Sequence, residues 1–297
     1  MSKHAYRLVD AFTDVPLAGN PCAVLFDCDA FSDELMLQIA REMNLSETAF
    51  LRKSEKADFG VRYFTVSGEI PLAGHPTIAT VYALIDTGML QISNSSTSIS
   101  LEMGAGVITV EIIAKNNAVQ RVIMQQMKPV FLRQYEPEDI LALIGLENSD
   151  LLPGAPLQTV STGTPQLMVA LQSRDALEKA VLNTDLYTNK SAEFDFFGSP
   201  HLFYLPGEFS EATTFARHFL PPPASGEDPF TGSATGGMAA YLWHYNLIKN
   251  PVFYADQGHW MGRPGRAWVC IEGNRQSPDC VRVGGSGCVL LRGEINL

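Results

Sequence analysis

The sequence predicts an α+β fold of two similar domains, each a strand-rich, barrel-like sheet around a central apolar helix. Three observations support this prediction. Short strand-like stretches separated by Gly, Asn and Pro occur along most of the 297 residues. Two helical stretches are nearly uncharged, HPTIATVYALIDTG and SATGGMAAYLWHY. The same outline, a Pro, a Gly-containing turn and a small-residue helix, leads into both of them.

The strand-like stretches are short and rich in β-branched and aromatic residues, which is typical of curled sheets. In chain order they are YRLVDAFT, CAVLF, TAFLRK, VRYFTV, ISLEMGAGVITVEII, VQRVIMQQM, QTVST, QLMVALQ, HLFYLP, VFYADQ, RAWVCIEG, CVRVGGSG and CVLLRGEINL. The polar, turn-rich sequence between Lys115 and Gln134 predicts a seam between two domains.

Helical periodicity is confined to a few places. DELMLQIAREMN is amphipathic with Ser32 as its N-cap, and EPEDILALIGL ends near Gly145. The two nearly uncharged helices differ because they are apolar round much of their circumference, which predicts burial on all sides. Small residues along them allow strands to pack closely, namely Ala79, Thr80, Ala234, Gly236, Gly237, Ala239 and Ala240. Each is therefore predicted to be the axial helix of its own domain.

Composition excludes several classes of function. Charged residues make up 18% of the chain, the net charge is −11 and no basic run occurs, so we expect neither nucleic acid nor a membrane surface as partner. The N-terminal sequence has no signal pattern, and no apolar run is long enough to span a bilayer, which predicts a soluble, cytoplasmic protein.

Cofactor and metal motifs are missing from the sequence. The five cysteines include no C-x-x-C pair, and no P-loop, dinucleotide fingerprint or G-x-S-x-G motif occurs. No cluster of His, Cys and carboxylate residues suggests a metal. We therefore expect no cofactor and no metal.

The starts of the two apolar helices are candidate anion-binding sites. The first turn of a helix has N–H groups without intrahelical partners and carries the positive end of the dipole. Gly74 and His75 lead the first helix, and Gly232 and Ser233 lead the second. If both starts face one cleft, they form a carboxylate cradle. The alternative is that Gly74 and Gly232 serve only as turns and Ser233 only as an N-cap.

Glu47 is the candidate proton carrier. It follows Ser46 in MNLSETAFL and is succeeded at once by an apolar stretch. In a cleft beside a bound carboxylate and Asp228, the pKa of Glu47 would be raised by desolvation and like charge, as suits a general acid/base. The alternative is an ordinary solvated turn charge.

Three further residues have both a structural and a functional interpretation. His75 lies between Gly and Pro, where it is either a structural group or a catalyst. Asp228 in EDPFTGS either caps the following turn or takes part in catalysis. Asn20 in GNP either makes an Asx-type turn or contacts the ligand.

Taken together, DAFTDVPLAGNPCAVL, IAREMNLSETAFL, RYFTVSGEIPLAGHPT and GEDPFTGSATGG resemble the PhzF-like proteins, named for an isomerase of phenazine biosynthesis. DQGHWMGRPGR is also similar to the family. The resemblance implies the diaminopimelate-epimerase-like fold, with the active site between two domains. It also implies that the last strand returns to the first domain. The expected domains are 1–118 plus about 288–297, and 119–287.

The resemblance also implies roles for individual residues. Glu47 looks like the acid/base, and His75 and Asp228 look like the residues that hold and polarise the ligand. The substrate-binding residues are expected to be Asn20, Ser46, Gly74, Gly232 and Ser233. Epimerases and racemases of this fold place a cysteine at the head of each axial helix, whereas this chain has none there, so a two-thiol racemase is disfavoured.

The sequence thus predicts a cofactor-independent isomerase that moves a proton between carbons of a small carboxylated metabolite. Two alternatives stay open. One is an epimerase or racemase of an amino-acid-like substrate, and the other is a non-catalytic member of the family that binds a ligand or a protein. The resemblance makes a homodimer plausible, and the sequence does not identify the substrate.

Overall fold

The computed structural model describes residues 2–93, 95–191, 198–206, 211–222, 224 and 226–297. The chain divides into two compact units. Unit 1 comprises Met1–Gln125 with Gly284–Leu297, and unit 2 comprises Gln126–Val283. Within the described residues, no helix is both long enough and apolar enough to cross a bilayer.

Unit 1 is built on strands in mixed orientation. They are β1 (Lys3–Ala11), β2 (Asn20–Leu25), β3 (Glu47–Arg52), β4 (Phe59–Phe64), β5 (Glu69–Ile70), β6 (Ser96–Met103), β7 (Gly106–Lys115), β8 (Ala118–Gln125) and β17 (Gly287–Asn296). Strand β1 pairs antiparallel with both β2 and β17, whereas β2 and β3 are parallel. Strand β4 continues the sheet to β6 in parallel, and β6, β7 and β8 are antiparallel.

The sequence placed the domain boundary after residue 118 and the return to the first domain near residue 288. In the structure β8 follows β7 through a two-residue turn, Asn116 and Asn117, both at positive φ. Such a turn keeps the two strands in one hairpin. Strand β8 therefore belongs to unit 1, and the return to unit 1 begins at Gly284.

Two helices belong to unit 1, α1 (Asp33–Met43) and α2 (Gly74–Asp86). Helix α1 begins where predicted, because the Ser32 side chain accepts a hydrogen bond from the backbone N–H of Leu35. Helix α2 packs against β1, β2, β3, β8 and β17, and nine of its thirteen residues are buried. It is the enclosed apolar helix that the sequence predicted.

The end of α2 is held to β1 and β17 by charged hydrogen bonds. Asp86 accepts hydrogen bonds from Arg7 Nε at 2.7 Å and from Arg292 Nε at 3.0 Å. The Arg292 and Arg7 guanidinium groups lower the pKa of Asp86 through these hydrogen bonds. A carboxylate at a helix C-terminus is unfavourable for the helix dipole, and the two arginines offset this.

Unit 2 is also strand-rich. Its strands are β9 (Val130–Tyr135), β10 (Leu157–Ser161), β11 (Pro165–Leu171), β12 (Pro200–Tyr204), β13 (Thr214–His218), β14 (Val252–Gln257), β15 (Gly265–Gly273) and β16 (Pro278–Gly285), the last two residues of which fall in unit 1. Parallel pairs join β11 to β12 and β13 to β14, and antiparallel pairs join β9 to β10, β10 to β11, β12 to β13 and β14 to β15.

The helices of unit 2 are α3 (Pro137–Ile144), α4 (Arg174–Lys179), α5 (Thr184–Ser191) and α6 (Gly232–His244). Helix α3 ends where the sequence predicted, with Gly145 at φ 66° as its left-handed cap. Helix α6 packs against β10, β11 and β15, and ten of its thirteen residues are buried. Each unit thus encloses a small-residue, nearly uncharged helix, which confirms the predicted α+β, strand-rich fold.

Candidate active site

The turn before β2 brings Asn20 into the interior of unit 1. Gly19 has φ 57°, and a Cβ there would lie 2.1 Å from the Ala11 carbonyl oxygen, so the position requires glycine. Asn20 is the first residue of β2, pairs with Ala11 across to β1, and is fully buried. The GNP sequence is therefore a tight turn that delivers a buried amide.

Glu47 begins the strand next to β2. It is the first residue of β3 and lies opposite Cys22 in the parallel β2–β3 pair. Its side chain is 20% exposed, so it is neither a free surface charge nor sealed from solvent. Ser46 directly precedes the strand and is half-buried. Because parallel strands start at the same edge of a sheet, Asn20 and Glu47 lie at one end of unit 1.

His75 is the second residue of α2, and its ring lies close to both Asn20 and Glu47. Its Nδ1 lies 3.1 Å from Asn20 Nδ2, and its Nε2 lies 3.3 Å from Glu47 Oε2. The Nε2–Oε2 pair is close but is not aligned as a hydrogen bond. The side chain of His75 is 5% exposed, and burial lowers its pKa to about 3. His75 is therefore a neutral imidazole at physiological pH.

A neutral imidazole has one N–H donor and one acceptor nitrogen, and its partners decide which is which. Asn20 Nδ2 is an amide nitrogen and can only donate, so Nδ1 of His75 is the acceptor. The ring proton then resides on Nε2, the nitrogen that faces Glu47. The arrangement presents a neutral N–H donor beside a carboxyl group.

The start of α2 is fixed from behind by a buried polar chain. Tyr63 Oη and Thr77 Oγ1 are 2.8 Å apart, and Thr77 donates to the Ala73 carbonyl oxygen at 2.7 Å. Ala73 is the N-cap residue, and no side chain caps the helix there. The backbone N–H groups from Gly74 onward are thus held in place, and no side chain at the N-cap position accepts a hydrogen bond from them.

Asp228 is the centre of a second polar cluster, within unit 2. It is 8% exposed, and its Oδ2 accepts a hydrogen bond from Thr231 Oγ1 at 2.6 Å. Its backbone N–H donates to the His218 carbonyl oxygen at 3.0 Å. The carboxylate is thereby held just ahead of α6.

The start of α6 differs from the sequence-based interpretation in the residue that occupies the N-cap. The helix begins at Gly232, and its N-cap is Thr231, so the interpretation of Ser233 as the N-cap is wrong. The reason is that the Thr231 backbone is extended, with φ −112° and ψ 96°, whereas Ser233 already lies in the first turn. As at α2, no side chain caps the helix. Ser233 is half-buried, and its carbonyl accepts from Thr162 Oγ1 at 3.3 Å.

Sequence reasoning missed two residues of the unit 2 cluster, Thr231 and Gln257. Gln257 Nε2 donates to the Asp228 carbonyl oxygen at 2.8 Å and to Thr231 Oγ1 at 3.2 Å. The signal was present, because Gln257 lies in the DQGHWMGRPGR motif to which no role was given. Its partners lie 26 or more residues away and are brought close by β14.

Neither buried helix has a cysteine at its N-cap. Ala73 and Thr231 occupy the N-cap positions of α2 and α6. All five cysteines are free, and burial raises the pKa of the Cys22 thiol well above its ordinary value. The thiol beside Glu47 in the sheet is therefore protonated.

Comparison with known proteins places the chain in a family. The model of the phenazine biosynthesis-like (PhzC-PhzF) family matches residues 9–293. An uncharacterized isomerase of Clostridium acetobutylicum is 35% identical over 304 residues, covering 99% of both chains. The trans-2,3-dihydro-3-hydroxyanthranilate isomerase of Pseudomonas aeruginosa is 34% identical over 298 residues, covering 99% of this chain and 100% of the relative.

Solved structures agree in fold. The crystal structure of the Bacillus anthracis phenazine biosynthesis protein of the PhzF family has a TM-score of 0.89 and 29% identity over the full length of both chains. A hydroxyproline epimerase from Agrobacterium vitis has a TM-score of 0.66 at 12% identity, covering 99% of this chain and 93% of that one, and shows the fold alone.

The match to the family model and the relatives named as isomerases place the chain in the isomerase class of enzymes. The chain belongs to the phenazine biosynthesis-like family and is a PhzF-like isomerase.

Proposed function

We propose that the protein is a cofactor-independent isomerase that moves a proton between two carbons of a small carboxylated metabolite, with Glu47 as general acid/base. The observation that carries this proposal is the Asn20–His75–Glu47 arrangement. A fully exposed or sealed carboxylate would be less suited, because a proton carrier must meet the substrate while staying shielded from bulk water.

His75 supplies a fixed donor next to the proton carrier. Its low pKa keeps it neutral, so it does not compete with Glu47 for the proton that is being moved. A neutral N–H that is already oriented stabilises negative charge as it develops on the substrate, at little reorganisation cost. Asn20 holds the ring in that orientation.

The uncapped helix starts suit the substrate carboxylate. Gly74 begins α2 and Gly232 begins α6, and neither helix has a side-chain cap. Backbone N–H groups at a helix start bind anions without a cationic side chain. We propose Asp228 and Ser233 as further substrate-binding residues, and we propose that Ser46 contributes a hydroxyl next to Glu47.

Deuterium exchange tests the proton transfer directly. The protein is incubated in deuterated water with small carboxylated metabolites, and trans-2,3-dihydro-3-hydroxyanthranilate is the first, because a 34% identical relative is named for it. We expect deuterium gain at carbon, with or without net isomerisation. Glu47→Gln removes the proton carrier and should lower exchange by about 10²–10⁴-fold.

Glu42→Gln is the matched control, because Glu42 is an exposed residue of α1 and its substitution should leave exchange unchanged. A compound that binds but exchanges no carbon-bound proton with either the unmodified protein or Glu47→Gln would contradict the isomerase proposal and favour a binding protein. Inversion of a chiral amino acid would instead support an epimerase.

A homodimer stays a prediction, which light scattering checks against 32.5 kDa per chain.

A further inference from the structure

The DQG sequence at the end of β14 has no part in the proton transfer proposed above. Its central residue, Gln257, is 1% exposed, so it lies out of reach of a substrate. All of its side-chain hydrogen bonds that the structure shows go to the segment Asp228–Thr231.

The orientation of the Gln257 amide is fixed by partners that have only one role. The Thr231 backbone N–H can only donate, and it faces Gln257 Oε1 at 3.2 Å. The Asp228 carbonyl oxygen can only accept, and it faces Gln257 Nε2 at 2.8 Å. Exchanging the amide oxygen and nitrogen would break both hydrogen bonds, so the assignment follows from chemistry.

This orientation determines the direction of the next hydrogen bond. Gln257 Nε2 also donates to Thr231 Oγ1 at 3.2 Å. The Thr231 hydroxyl has a single proton, and because its oxygen is accepting from the amide, that proton is available for Asp228 Oδ2 at 2.6 Å. The chain of hydrogen bonds therefore runs from Gln257 through Thr231 to the carboxylate of Asp228.

The neighbours of Gln257 hold it against this segment. Asp256 forms two hydrogen bonds with Arg266, at 2.7 and 2.9 Å, which pin the end of β14 to β15. A Cβ on Gly258 would lie 2.6 Å from the Pro229 carbonyl oxygen, so only glycine lets the backbone approach so closely. Gln257 and Gly258 therefore both lie against the residues that precede α6.

We propose that Gln257 is a positioning residue, which fixes the Thr231 hydroxyl as a donor to Asp228 and thereby sets the orientation of the Asp228 carboxylate for the isomerase reaction. Its kinetic consequence rests on the proposed function. The direction of the hydrogen bond from Thr231 to Asp228 does not depend on that function, and it is tested separately.

The test uses Gln257→Glu, Thr231→Val and the double variant. Glutamate keeps the shape and an acceptor for the Thr231 N–H, but it replaces the donor by an oxygen that faces the Asp228 carbonyl and the Thr231 hydroxyl. The hydroxyl proton can then turn to the introduced carboxylate and away from Asp228. Gln166→Glu is the matched control, because Gln166 is 5% exposed and its Oε1 accepts from the Ser199 backbone N–H at 2.9 Å, outside this segment.

The first readout needs no substrate. Unfolding midpoints in urea are measured for the three variants and the unmodified protein, and we expect the effect of Thr231→Val to differ between the two backgrounds. Additive effects of Gln257→Glu and Thr231→Val would overturn the proposed direction, whether or not the protein catalyses isomerisation.

The second readout separates positioning from a purely structural role. With a compound that the unmodified protein exchanges, Gln257→Glu should lower kcat by about 10-fold or more at nearly unchanged KM, because a misplaced group slows the reaction more than it weakens binding. The same change should have little further effect in the Thr231→Val background, and Gln166→Glu should stay within about 2-fold of the unmodified protein. Unchanged kcat in Gln257→Glu beside coupled unfolding midpoints would assign Gln257 a structural role only and overturn the proposal.

Discussion

Asn20→Asp should slow catalysis by reversing the tautomer of His75. In the unmodified protein the Asn20 amide donates to Nδ1 at 3.1 Å and leaves the ring proton on Nε2, which faces Glu47. An aspartate of the same shape can only accept when ionised. The His75 proton is then drawn to Nδ1, and Nε2 presents a lone pair to Glu47 instead of an N–H.

The size of the effect follows from the strength of the new hydrogen bond. A hydrogen bond to a charged group contributes about 1.5–3 kcal/mol. At about 1.36 kcal/mol for each tenfold change, the Nε2–H tautomer becomes about 10–150 times less populated, and kcat should fall by that factor. Asn20→Ala removes the donor without favouring Nδ1–H, so its loss should be smaller than that of Asn20→Asp.

The assay combines kinetics with nitrogen NMR. Long-range ¹H–¹⁵N correlations of the imidazole should show His75 as the Nε2–H tautomer between pH 5 and 8, with no titration in that range, because burial lowers its pKa to about 3. In Asn20→Asp the correlations should show a proton on Nδ1. Far-ultraviolet circular dichroism checks that each variant is folded.

Two results would refute the reasoning. One is an Nδ1–H tautomer, or a titration near pH 6.5, for His75 in the unmodified protein. The other is an Asn20→Asp variant that is as active as Asn20→Ala, which would mean that the tautomer does not matter to the reaction.

Two further predictions concern stability. Gly258→Ala should destabilise unit 2 by about 2–5 kcal/mol in urea unfolding, because it adds left-handed backbone strain at φ 86° to a clash with two carbonyl oxygens. Gly262→Ala, at φ 68° with open space around the new Cβ, carries the strain alone, and an equal loss would contradict the clash. Burial lowers the pKa of His75 and His218 to about 3, so the stability that they contribute is present above pH 6.5 and is lost as the pH falls below it. Lowering the pH from 7.5 to 5.0 should cost up to about 2 kcal/mol for each, and a flat urea midpoint would contradict it.

The sequence predicted the fold best where burial leaves a composition signal. A helix with almost no charged residues is expected to be enclosed, and most residues of α2 and α6 are buried. Strand β9 and strand β13 were harder to predict, because β9 is mostly exposed and β13 has only five residues, whose alternation of buried and half-buried positions does not follow their hydrophobicity. Pairing with long-range partners, rather than local preference, makes them strands.

The site was predicted residue by residue but not as contacts. Asn20 and His75 are 55 residues apart, and their hydrogen bond depends on the turn at Gly19 and on the packing of α2 against β2. No local pattern encodes such a contact. For Gln257 the motif was visible in the sequence, but its hydrogen-bond partners, Asp228 and Thr231, could not be predicted from it.

The pairing of β1 with β17 has a consequence for the order of folding. Strand β17 forms hydrogen bonds along the whole of β1, and Arg292 on β17 reaches the end of α2, yet the sequence of unit 2 lies between them. During synthesis, β1 and α2 leave the ribosome long before the strand that completes their sheet, whereas unit 2 is continuous in sequence. Unit 2 can therefore fold first. Until β17 has been synthesised, the backbone N–H and C=O groups along that edge of β1 are unpaired, and a chaperone or a neighbouring nascent chain could pair with them.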